Sequence, residues 1–251
     1  MTESRDEEQA VYGLRTCRAI FDARRDDIVR IFYRADRLRA LAHILKWAAA
    51  QRLVYRELKD EELQRVAGGL HHEGVVMEVR PRMVRRFTVE SIRPGTNWVA
   101  VDRVENPHNL GAIVRSCAFF GIEGLVMGGQ EPDTRLSSAF LRMSEGGAER
   151  ISVFATLHLT PCLEEMKAKG LAVIGLETDV PRRLGADPLP RPACLVFGNE
   201  NEGLSKSVRQ ACTGLVAIPG AWEGGSLNVS VSVGIALAAL AQGASGTKSS
   251  R

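Results

Sequence analysis

From residue 97 onward, the chain alternates short aliphatic runs with stretches of helical periodicity. Strands are predicted at 98–104, 124–127, 151–155, 171–176, 194–197 and 215–218. Helices are predicted near 109–120, 135–143, 161–169, 204–211 and 227–241. Nearly uninterrupted aliphatic strands separated by helices are typical of an α/β domain whose parallel sheet is covered on both faces. Because ligands of such sheets bind beyond the carboxyl ends of the strands, the loops at those ends form the candidate site.

A smaller α/β unit is predicted ahead of this domain. Residues 11–80 show a strand near 26–35, helices at 38–51 and 61–66, and a closing strand at Val75–Val79. The following segment, 81–95, has prolines near both ends around several arginines and is predicted to be a linker. The large domain then covers 96–242. The polar ends, 1–10 and 243–251, are predicted to be disordered.

The positive charge of the chain is concentrated in its first part. The 251 residues carry a net charge of +3, and residues 1–90 hold 18 Lys and Arg against 15 Asp and Glu. A guanidinium can hold a phosphate with two hydrogen bonds, which makes the arginines of this region candidate phosphate contacts. The predicted contacts are Arg15, Arg18, Arg24 and Arg25. A solvated helix surface explains the same charges equally well.

Cysteine usage and hydropathy exclude several classes of protein. The five cysteines are widely spaced without a C-x-x-C pair and the five histidines are scattered, so neither a disulfide framework nor a metal site is expected. Reduced thiols predict a cytoplasmic protein. No run approaches the roughly 18 apolar residues that a membrane span needs, so no membrane association is expected. The charged N-terminus has no apolar core, and a secretory signal is not expected.

Familiar phosphate-binding and hydrolase motifs are absent from the sequence, which contains no G-x-G, no P-loop and no G-x-S-x-G. Three polar segments with glycines instead follow predicted strands, at 105–116, 197–205 and 218–230. Each has an ordinary structural explanation when it is considered alone. The first is a helix start with a solvated Arg115, the second is a strand-to-helix turn, and the third has Ser226 capping a buried helix.

Taken in order, the three segments resemble the motifs of the SpoU (TrmH-like) branch of the SPOUT RNA methyltransferases. Residues 109–116 match N-x-x-A-I-x-R-[ST], and residues 198–205 match a G-x-E turn that ends in G-[LI]-S. Ile218-Pro219 and residues 226–231 match I-P followed by S-L-N-V-S-V. The resemblance covers roughly 97–241. In addition, residues 71–76 resemble the end of the L30e-like substrate-binding domain that precedes many members.

The resemblance implies a parallel-sheet SPOUT domain with a deep trefoil knot, a homodimer and bound S-adenosyl-L-methionine. By motif position, the cofactor would rest on Leu176, Glu177, Gly198, Asn199, Ile218 and Leu227. The partner would be RNA, captured by the basic small domain. The expected reaction moves a methyl group to a ribose 2′-hydroxyl, which DNA lacks.

The resemblance also places five side chains beside the acceptor: Arg115, Asn109, Glu200, Ser226 and Asn228. A guanidinium has a pKa above about 12 and is a poor base, so Arg115 is expected mainly to hold the adjacent phosphate and stabilise the oxyanion. Glu200 is expected to orient Arg115 or the cofactor loop. Ser226 and Asn228 are expected to fix that loop and contact the acceptor.

Some positions depart from the residues that are common in the family: Gly220, Trp222, Gly224 and the pair Asn201-Glu202. They leave the reactive positions intact but alter the loop that would hold the cofactor. Trp222 can stack on a base or only fill the loop.

Two other functions are considered beside RNA methylation. The first is a non-catalytic RNA-binding protein that kept the fold, against which the retained Arg115, Glu200 and Asn228 argue. The second is an α/β enzyme acting on a small metabolite, against which three ordered motifs argue. Both tRNA and ribosomal RNA remain candidate substrates, and ribose methylation is favoured over base methylation.

Overall fold

A computed structural model describes residues 8–221 and 225–245, which form two α/β domains, each built on one sheet. The small domain has four strands: β1 (Gln9–Tyr12), β2 (Ile28–Tyr33), β3 (Val54–Glu57) and β4 (Val75–Val79). Their order in the sheet is β1-β4-β2-β3. β4 runs antiparallel to both β1 and β2, whereas β3 runs parallel to β2 and forms an edge.

Three helices cover this small sheet: α1 (Leu14–Arg24), α2 (Leu38–Ala50) and α3 (Asp60–Ala67). The alternation of side chains along the strands decides which helix lies on which face. Ile31 and Met77 point into the core formed with α1 and α2, whereas Val76 packs with α3. α3 begins with three acidic residues, and the Lys59 N–H donates to Glu62 at 2.8 Å, as expected at a helix start.

The large domain is built on a seven-stranded sheet. Its strands are β5 (Arg85–Arg86), β6 (Trp98–Asp102), β7 (Gly124–Gly128), β8 (Ser152–Thr156), β9 (Ala172–Leu176), β10 (Ala193–Phe197) and β11 (Gly214–Val216). The order is β11-β9-β10-β6-β7-β8-β5, and every neighbouring pair is parallel. The predicted parallel sheet is confirmed.

Helices cover both faces of the large sheet: α4 (Pro107–Phe119), α5 (Ser138–Ser144), α6 (Leu159–Ala168), α7 (Lys206–Ala211) and α8 (Val229–Ser245). Successive residues of the central strand β6 point to opposite faces. Val99 and Val101 pack with α4, α5 and α8, whereas Trp98 and Ala100 pack with α6 and α7. Burial on both faces explains why the strands read as continuous aliphatic runs.

The structure differs from the predicted boundaries in three places. Gln9 and Ala10 are not a disordered tip but pair with β4, and residues 243–245 belong to α8. Residues 1–7 and 246–251, the rest of the predicted disordered ends, lie outside the described residues. The predicted linker is packed, because β5 pairs with β8 while Val84, Phe87 and Ile92 are buried. A two-residue edge strand bounded by prolines leaves too short a pattern to be recognised in the sequence.

The two domains share polar contacts as well as a continuous apolar core. Gln9 Nε2 donates to Leu136 O at 2.6 Å, and Ser138 Oγ donates to Ala10 O at 2.6 Å. Thr16 Oγ1 donates to Leu141 O at 3.3 Å. α5 therefore docks on β1 and α1. Among the described helices, none combines the length and apolarity that crossing a bilayer requires.

Candidate active site at the carboxyl edge of the large sheet

The first and second motifs follow β6 and β10, which are neighbours in the large sheet. α4 begins shortly after β6, where the Asn106 side chain accepts a hydrogen bond from the His108 N–H at 2.9 Å and Pro107 occupies the first helical position. This start places Asn109 in the first turn of α4, near the carboxyl edge of the sheet. The third motif opens α8, which packs against α4.

Side chains from all three motifs meet in one hydrogen-bond chain. Asn109 Nδ2 donates to Glu200 Oε1, and Asn228 Nδ2 donates to Asn109 Oδ1 at 3.1 Å. Asn228 Oδ1 also accepts from Ser230 N at 2.9 Å and from Ser230 Oγ at 2.6 Å, which fixes the start of α8. Glu200 and Asn228 are exposed, so a ligand at this edge can reach their polar atoms.

The second motif is a tight turn that closes on itself. Asn199 N donates to Gly203 O at 3.1 Å, and Gly203 N donates back to Asn199 O at 2.9 Å. A Cβ on Gly198 would lie 2.1 Å from the Gly203 carbonyl carbon, so only glycine permits this approach. The turn aims Glu200 at Asn109.

Two residues that the sequence analysis did not single out tie this turn to β6. Asp102, buried at the end of β6, accepts a hydrogen bond from Ser205 N at 2.7 Å. Arg103 forms an ion pair with Glu202, and its carbonyl oxygen accepts from Asn199 Nδ2 at 2.9 Å. The signal that could have revealed them is an acidic residue at the end of an otherwise aliphatic strand, directly ahead of the first motif.

The residues predicted to hold the cofactor lie around neighbouring strand ends. Glu177 N, after β9, donates to Val216 O of β11 at 3.1 Å. A Cβ on Gly203 would lie 3.6 Å from Glu177 Oε1, which places the second motif beside the end of β9. Leu176 therefore ends β9, and Gly198, Asn199 and Ile218 lie in the loops that follow the neighbouring strands β10 and β11.

The remaining predicted loop residues lie between β11 and α8. Ser226 and Leu227 are exposed just ahead of α8, and Gly220 is exposed shortly after β11. Trp222 and Gly224, for which the sequence raised a role in the loop, lie outside the described residues.

Arg115 does not join this hydrogen-bond chain. It follows Asn109 by six residues on α4, and six residues rotate a helix to a different face. Its Nη1 atom lies 3.0 Å from Glu145 Oε1, and its side chain is 53% exposed. Within one chain, Glu200 bonds Asn109 whereas Glu145 bonds Arg115, so the described contacts do not join Glu200 to Arg115. The expected role of Glu200 in orienting Arg115 or the cofactor loop stays a prediction.

The four predicted phosphate contacts of the small domain divide into two pairs. Arg15 and Arg24 face the large domain and pair with Glu145 and Glu149, each at 3.1 Å. The Arg24 side chain is only 14% exposed, so its guanidinium serves the domain junction and has little surface left for a phosphate. Arg18 and Arg25 are exposed beside α2. Arg18 Nη2 donates to Ala40 O at 2.8 Å, and Arg25 lies over the Phe21 ring at 5.2 Å.

The cysteines serve packing in the described structure, where all five are free. Burial raises the pKa of the Cys212 thiol to about 11, and it also raises the pKa of Cys17, Cys117 and Cys194. Neutral thiols neither react readily nor bind metals. Across residues 8–221 and 225–245, no group of three or more His, Cys, Asp or Glu side chains is arranged to hold a metal ion.

Comparison with known proteins places the chain in a family. Residues 97–238 match the SpoU rRNA Methylase family, and residues 10–84 match a family described as RNA 2′-O ribose methyltransferase substrate binding. The chain is 31% identical over 239 residues to the uncharacterized tRNA/rRNA methyltransferase YfiF of Escherichia coli O157:H7, covering 94% of this chain and 69% of that protein.

A second relative and a solved structure agree with this placement. The 23S rRNA (guanosine-2′-O-)-methyltransferase RlmB of Nitrosomonas europaea is 34% identical over 183 residues, which cover 71% of this chain and 70% of RlmB. The AviRb SpoU methyltransferase of Streptomyces viridochromogenes, solved with AdoMet, superposes with a TM-score of 0.78 at 20% identity, covering 96% of this chain and 92% of AviRb. The motif resemblance is confirmed: this chain belongs to the SpoU rRNA methylase family of RNA methyltransferases.

Proposed function

We propose that this chain transfers a methyl group from S-adenosylmethionine to a ribose 2′-hydroxyl of tRNA or ribosomal RNA. The observation that carries the proposal is the meeting of Asn109, Glu200 and Asn228, one from each motif, at the carboxyl edge of the parallel sheet. Ligands of α/β sheets bind at this edge. The ribose is favoured because RlmB is named for guanosine-2′-O methylation and the family of the small domain is described by 2′-O ribose methyltransferases.

The loops after β9, β10 and β11 fit S-adenosylmethionine, the cofactor present in the AviRb structure. They adjoin one another, and the turn of the second motif is flanked by Gly198 and Gly203, which carry no side chain over the backbone. The residues that would hold the cofactor are Leu176, Glu177, Gly198, Asn199, Ile218 and Leu227. When bound, the cofactor supplies a methyl group activated by its sulfonium.

The residues of the chain would bind and orient the ribose. Asn109, Glu200 and Asn228 offer amide and carboxylate oxygens to the acceptor hydroxyl, and Ser226 adds a hydroxyl at the same opening. Arg115 would hold the adjacent phosphate and stabilise the developing negative charge on the attacking oxygen. Fixing two reactants in register accounts for up to about 7–11 kcal/mol of the barrier. A positioned group that accepts the hydroxyl proton contributes about 10²–10⁴-fold.

The homodimer is proposed to form through α4 and α8. These helices pack against each other and leave apolar side chains exposed. Phe119 at the end of α4 is 83% exposed, and Val231 and Ile235 are exposed on α8, in a four-residue spacing that continues Leu227 just ahead of that helix. Exposed apolar patches of this kind mark interaction surfaces. Arg115 lies four residues before Phe119, on the same face of α4. If a second copy of the chain packs against this face, Arg115 of one protomer can reach the candidate active site of its partner.

The trefoil knot is proposed from the resemblance and from the contacts of the connection between β9 and β10. Ala217 N, after β11, donates to Arg182 O at 2.9 Å, and Leu184 N donates to Ala217 O at 2.8 Å. Farther along the same connection, Arg191 Nη1 donates to Leu240 O of α8 at 3.3 Å. The connection between β9 and β10 thus contacts the C-terminal segment at two places, just after β11 and in α8. These contacts support the proposal that the C-terminal segment passes through this connection. A cytoplasmic location is proposed from the free cysteines and the RNA substrate.

RNA capture is proposed for the small domain, at a surface that differs in part from the expected one. The α1–α2 basic surface consists of Arg18, Arg25, Arg39, His43 and Lys46, all of which are exposed. α2 contains no acidic residue. The His43 ring meets Phe21 edge-on at 5.5 Å, beside the Arg25 guanidinium, which joins the two helices into one surface. A surface of this charge complements the phosphates of RNA.

The activity is tested by methyl transfer from labelled S-adenosylmethionine to the tRNA and ribosomal RNA of cells that lack this gene, followed by digestion to identify the methylated nucleoside. Arg115→Ala should abolish methyl transfer. The cofactor affinity measured by calorimetry should stay near normal, because Arg115 is proposed to contact the acceptor and not the cofactor. Asn228→Ala should reduce both transfer and cofactor affinity, because its side chain fixes the start of α8 and also reaches the acceptor.

Three outcomes would contradict the proposal in separate ways. A wild-type chain that takes up no S-adenosylmethionine removes the cofactor and the reaction, and label found on a base removes the ribose. Near-full turnover of Arg115→Ala removes the role of that residue. Family membership and the retained Asn109, Glu200 and Asn228 argue against a non-catalytic RNA-binding protein, which would bind RNA and transfer no label.

A further inference from the structure

Glu145 lies outside all three motifs and directly follows the last residue of α5, in an unusual backbone conformation. Its φ is +45° and ψ is +41°, the left-handed region that non-glycine residues rarely adopt. The next residue, Gly146, has φ +87°, and a Cβ there would lie 2.4 Å from Ala19 Cβ of α1. A Cβ on Gly147 would lie 3.1 Å from Arg115 Cα of α4. The turn is therefore wedged between α1 and α4 and has little room to move.

From this turn the Glu145 carboxylate reaches two arginines in different domains. Its Oε1 atom lies 3.0 Å from Nη1 of Arg115, and its Oε2 atom lies 3.1 Å from Nη1 of Arg15. The Glu145 side chain is 23% exposed, less than either of its partners. A short acidic side chain on a fixed turn thus holds two long, flexible basic side chains.

Stability does not account for this arrangement. Ion pairs with exposed partners contribute little to folding, because water screens the charges and ordering the side chains costs entropy. The left-handed backbone of Glu145 adds a further cost. The left-handed turn ends α5, with Glu145 N donating to Arg142 O at 3.3 Å, but a helix end of this kind favours glycine and requires no carboxylate. The side chain at this position is therefore better explained by what its contacts orient.

We propose that Glu145 is a positioning residue for Arg115. It holds the guanidinium in one orientation while leaving the rest of it open to a phosphate of the RNA. Since its second oxygen is held by Arg15, the small domain also helps to place Arg115. The inference rests on the proposed function, in which Arg115 contacts the acceptor.

The first test compares Glu145→Ala, Glu145→Gln and the matched control Glu73→Gln. Glu73 also joins the two domains through an arginine, with Oε1 2.8 Å from Arg142 Nη2, and its Oε2 atom accepts from Leu14 N at 3.0 Å. In the part of the chain that the structure describes, these hydrogen-bond and ion-pair partners of the Glu73 carboxylate include no predicted site residue. Glu145→Ala should lower kcat about 10-fold to 10²-fold, the usual effect of misplacing a catalytic group, with the cofactor Kd unchanged. Glu145→Gln should recover part of that loss, because its amide oxygen can still accept one hydrogen bond. Glu73→Gln should keep wild-type kcat.

The second test separates positioning from general damage. In an Arg115→Lys background, Glu145→Ala should cause little further loss of kcat, because residues that act through one another are not additive. The proposal is overturned if the two losses multiply independently, or if Glu73→Gln lowers kcat as much as Glu145→Gln does.

A readout that does not depend on turnover distinguishes this inference from the proposed function. In nitrogen-15 NMR, the side-chain Nε–H signal of Arg115, assigned by its loss in Arg115→Lys, should be ordered in the wild type and mobile in Glu145→Ala. Equal order in both chains overturns the inference even if methyl transfer is normal. If the Arg115 signal is ordered in a wild-type chain that methylates no RNA fraction, the proposed function is overturned. The contact between Glu145 and Arg115 would then exist but would have no catalytic role.

Discussion

Glu145 and Glu149 lie four residues apart and make the same kind of contact in different surroundings. Each carboxylate bonds two arginines, one of them from α1: Arg15 and Arg115 for Glu145, Arg24 and Arg82 for Glu149. The Glu149 side chain is only 6% exposed. Burial therefore separates a contact that stabilises the domain junction from one that leaves a guanidinium available to a ligand.

The physical reason for the difference is the cost of leaving a charge unpaired. An exposed ion pair contributes about 0–1 kcal/mol, because water can replace either partner. Removing one partner from a buried pair costs about 3–5 kcal/mol, because the other charge stays out of water without compensation. The same two residue types can thus act in stability at one position and in function at a neighbouring one.

The largest effect on stability is expected for Glu149→Ala. The loss should be about 3–5 kcal/mol in the free energy of unfolding, because two guanidinium groups at the junction lose their shared carboxylate. Arg24 Nη1 keeps its ion pair with Asp27 at 3.1 Å and Arg82 keeps the Ala148 carbonyl, which places the loss toward the lower end of this range. Arg24 Nε, however, would join Arg24 Nη2 as a donor without a partner among the described residues. Urea unfolding of both variants gives the comparison, with Glu145→Ala expected to lose less than about 1 kcal/mol. Equal losses in the two variants would remove the distinction by burial.

Much of the large domain could be predicted from the sequence because its strands are buried on both faces. Each of the six predicted strands of the sheet lies within a few residues of its observed place. The misses are the helix α1, which was not predicted, and three strands with weak patterns. β1 has four residues, β5 has two, and β3 is an exposed edge strand whose residues show no alternation of burial.

The candidate site was predictable to the extent that it lies within motifs. The meeting of Asn109, Glu200 and Asn228 follows from the resemblance together with the rule that strand carboxyl ends share one edge. The partner of Arg115 could not be predicted, because Glu145 comes from another helix and reaches Arg115 only through the packing of a turn between α1 and α4. Ion-pair partners distant in sequence depend on the tertiary fold, and local patterns do not encode them.

The arginines of α1 extend the comparison to RNA binding. Arg24 is committed to Glu149, whereas Arg25 belongs to the α1–α2 basic surface with Lys46. The double variant Arg25→Gln, Lys46→Gln should weaken RNA binding and reduce the slope of log affinity against log salt by about 1 for each lost phosphate contact. Filter binding at several salt concentrations measures this slope. Arg65→Gln, on α3 at the opposite face of the small sheet, is the control.

A slope that is unchanged in the double variant would show that RNA binds elsewhere on the chain. A slope that falls equally in Arg65→Gln would show that only the overall charge of the small domain matters. Either result would mean that exposure on the α1–α2 basic surface does not suffice to assign an arginine to RNA.

Arg34 forms a third shared ion pair, in which one guanidinium lies between two carboxylates. Both of these carboxylates are more exposed than those of Glu145 and Glu149. Its Nε atom donates to Asp36 at 2.7 Å, and its Nη1 atom donates to Asp60 at 2.6 Å. These hydrogen bonds lower the pKa of both carboxyls below their ordinary value of 3.8. Because the folded-state pKa lies below the unfolded one, the stabilisation is fully present above pH 3.8 and is lost as the pH falls through the folded-state pKa.

Arg34→Gln should therefore have the smallest effect of the series, since both carboxyls are open to solvent. We expect a slight loss of stability at neutral pH that disappears in acid, once the two carboxyls of the wild type are protonated. Chemical unfolding between about pH 7 and pH 2 measures this difference. Arg56→Gln, which replaces an exposed arginine on the neighbouring β3, is the control. Its difference in stability from the wild type should not disappear between about pH 7 and pH 2. If Arg34→Gln lost as much stability as Glu149→Ala, shared ion pairs would stabilise this fold regardless of burial, and the assignment of Glu145 to function would lose its physical basis.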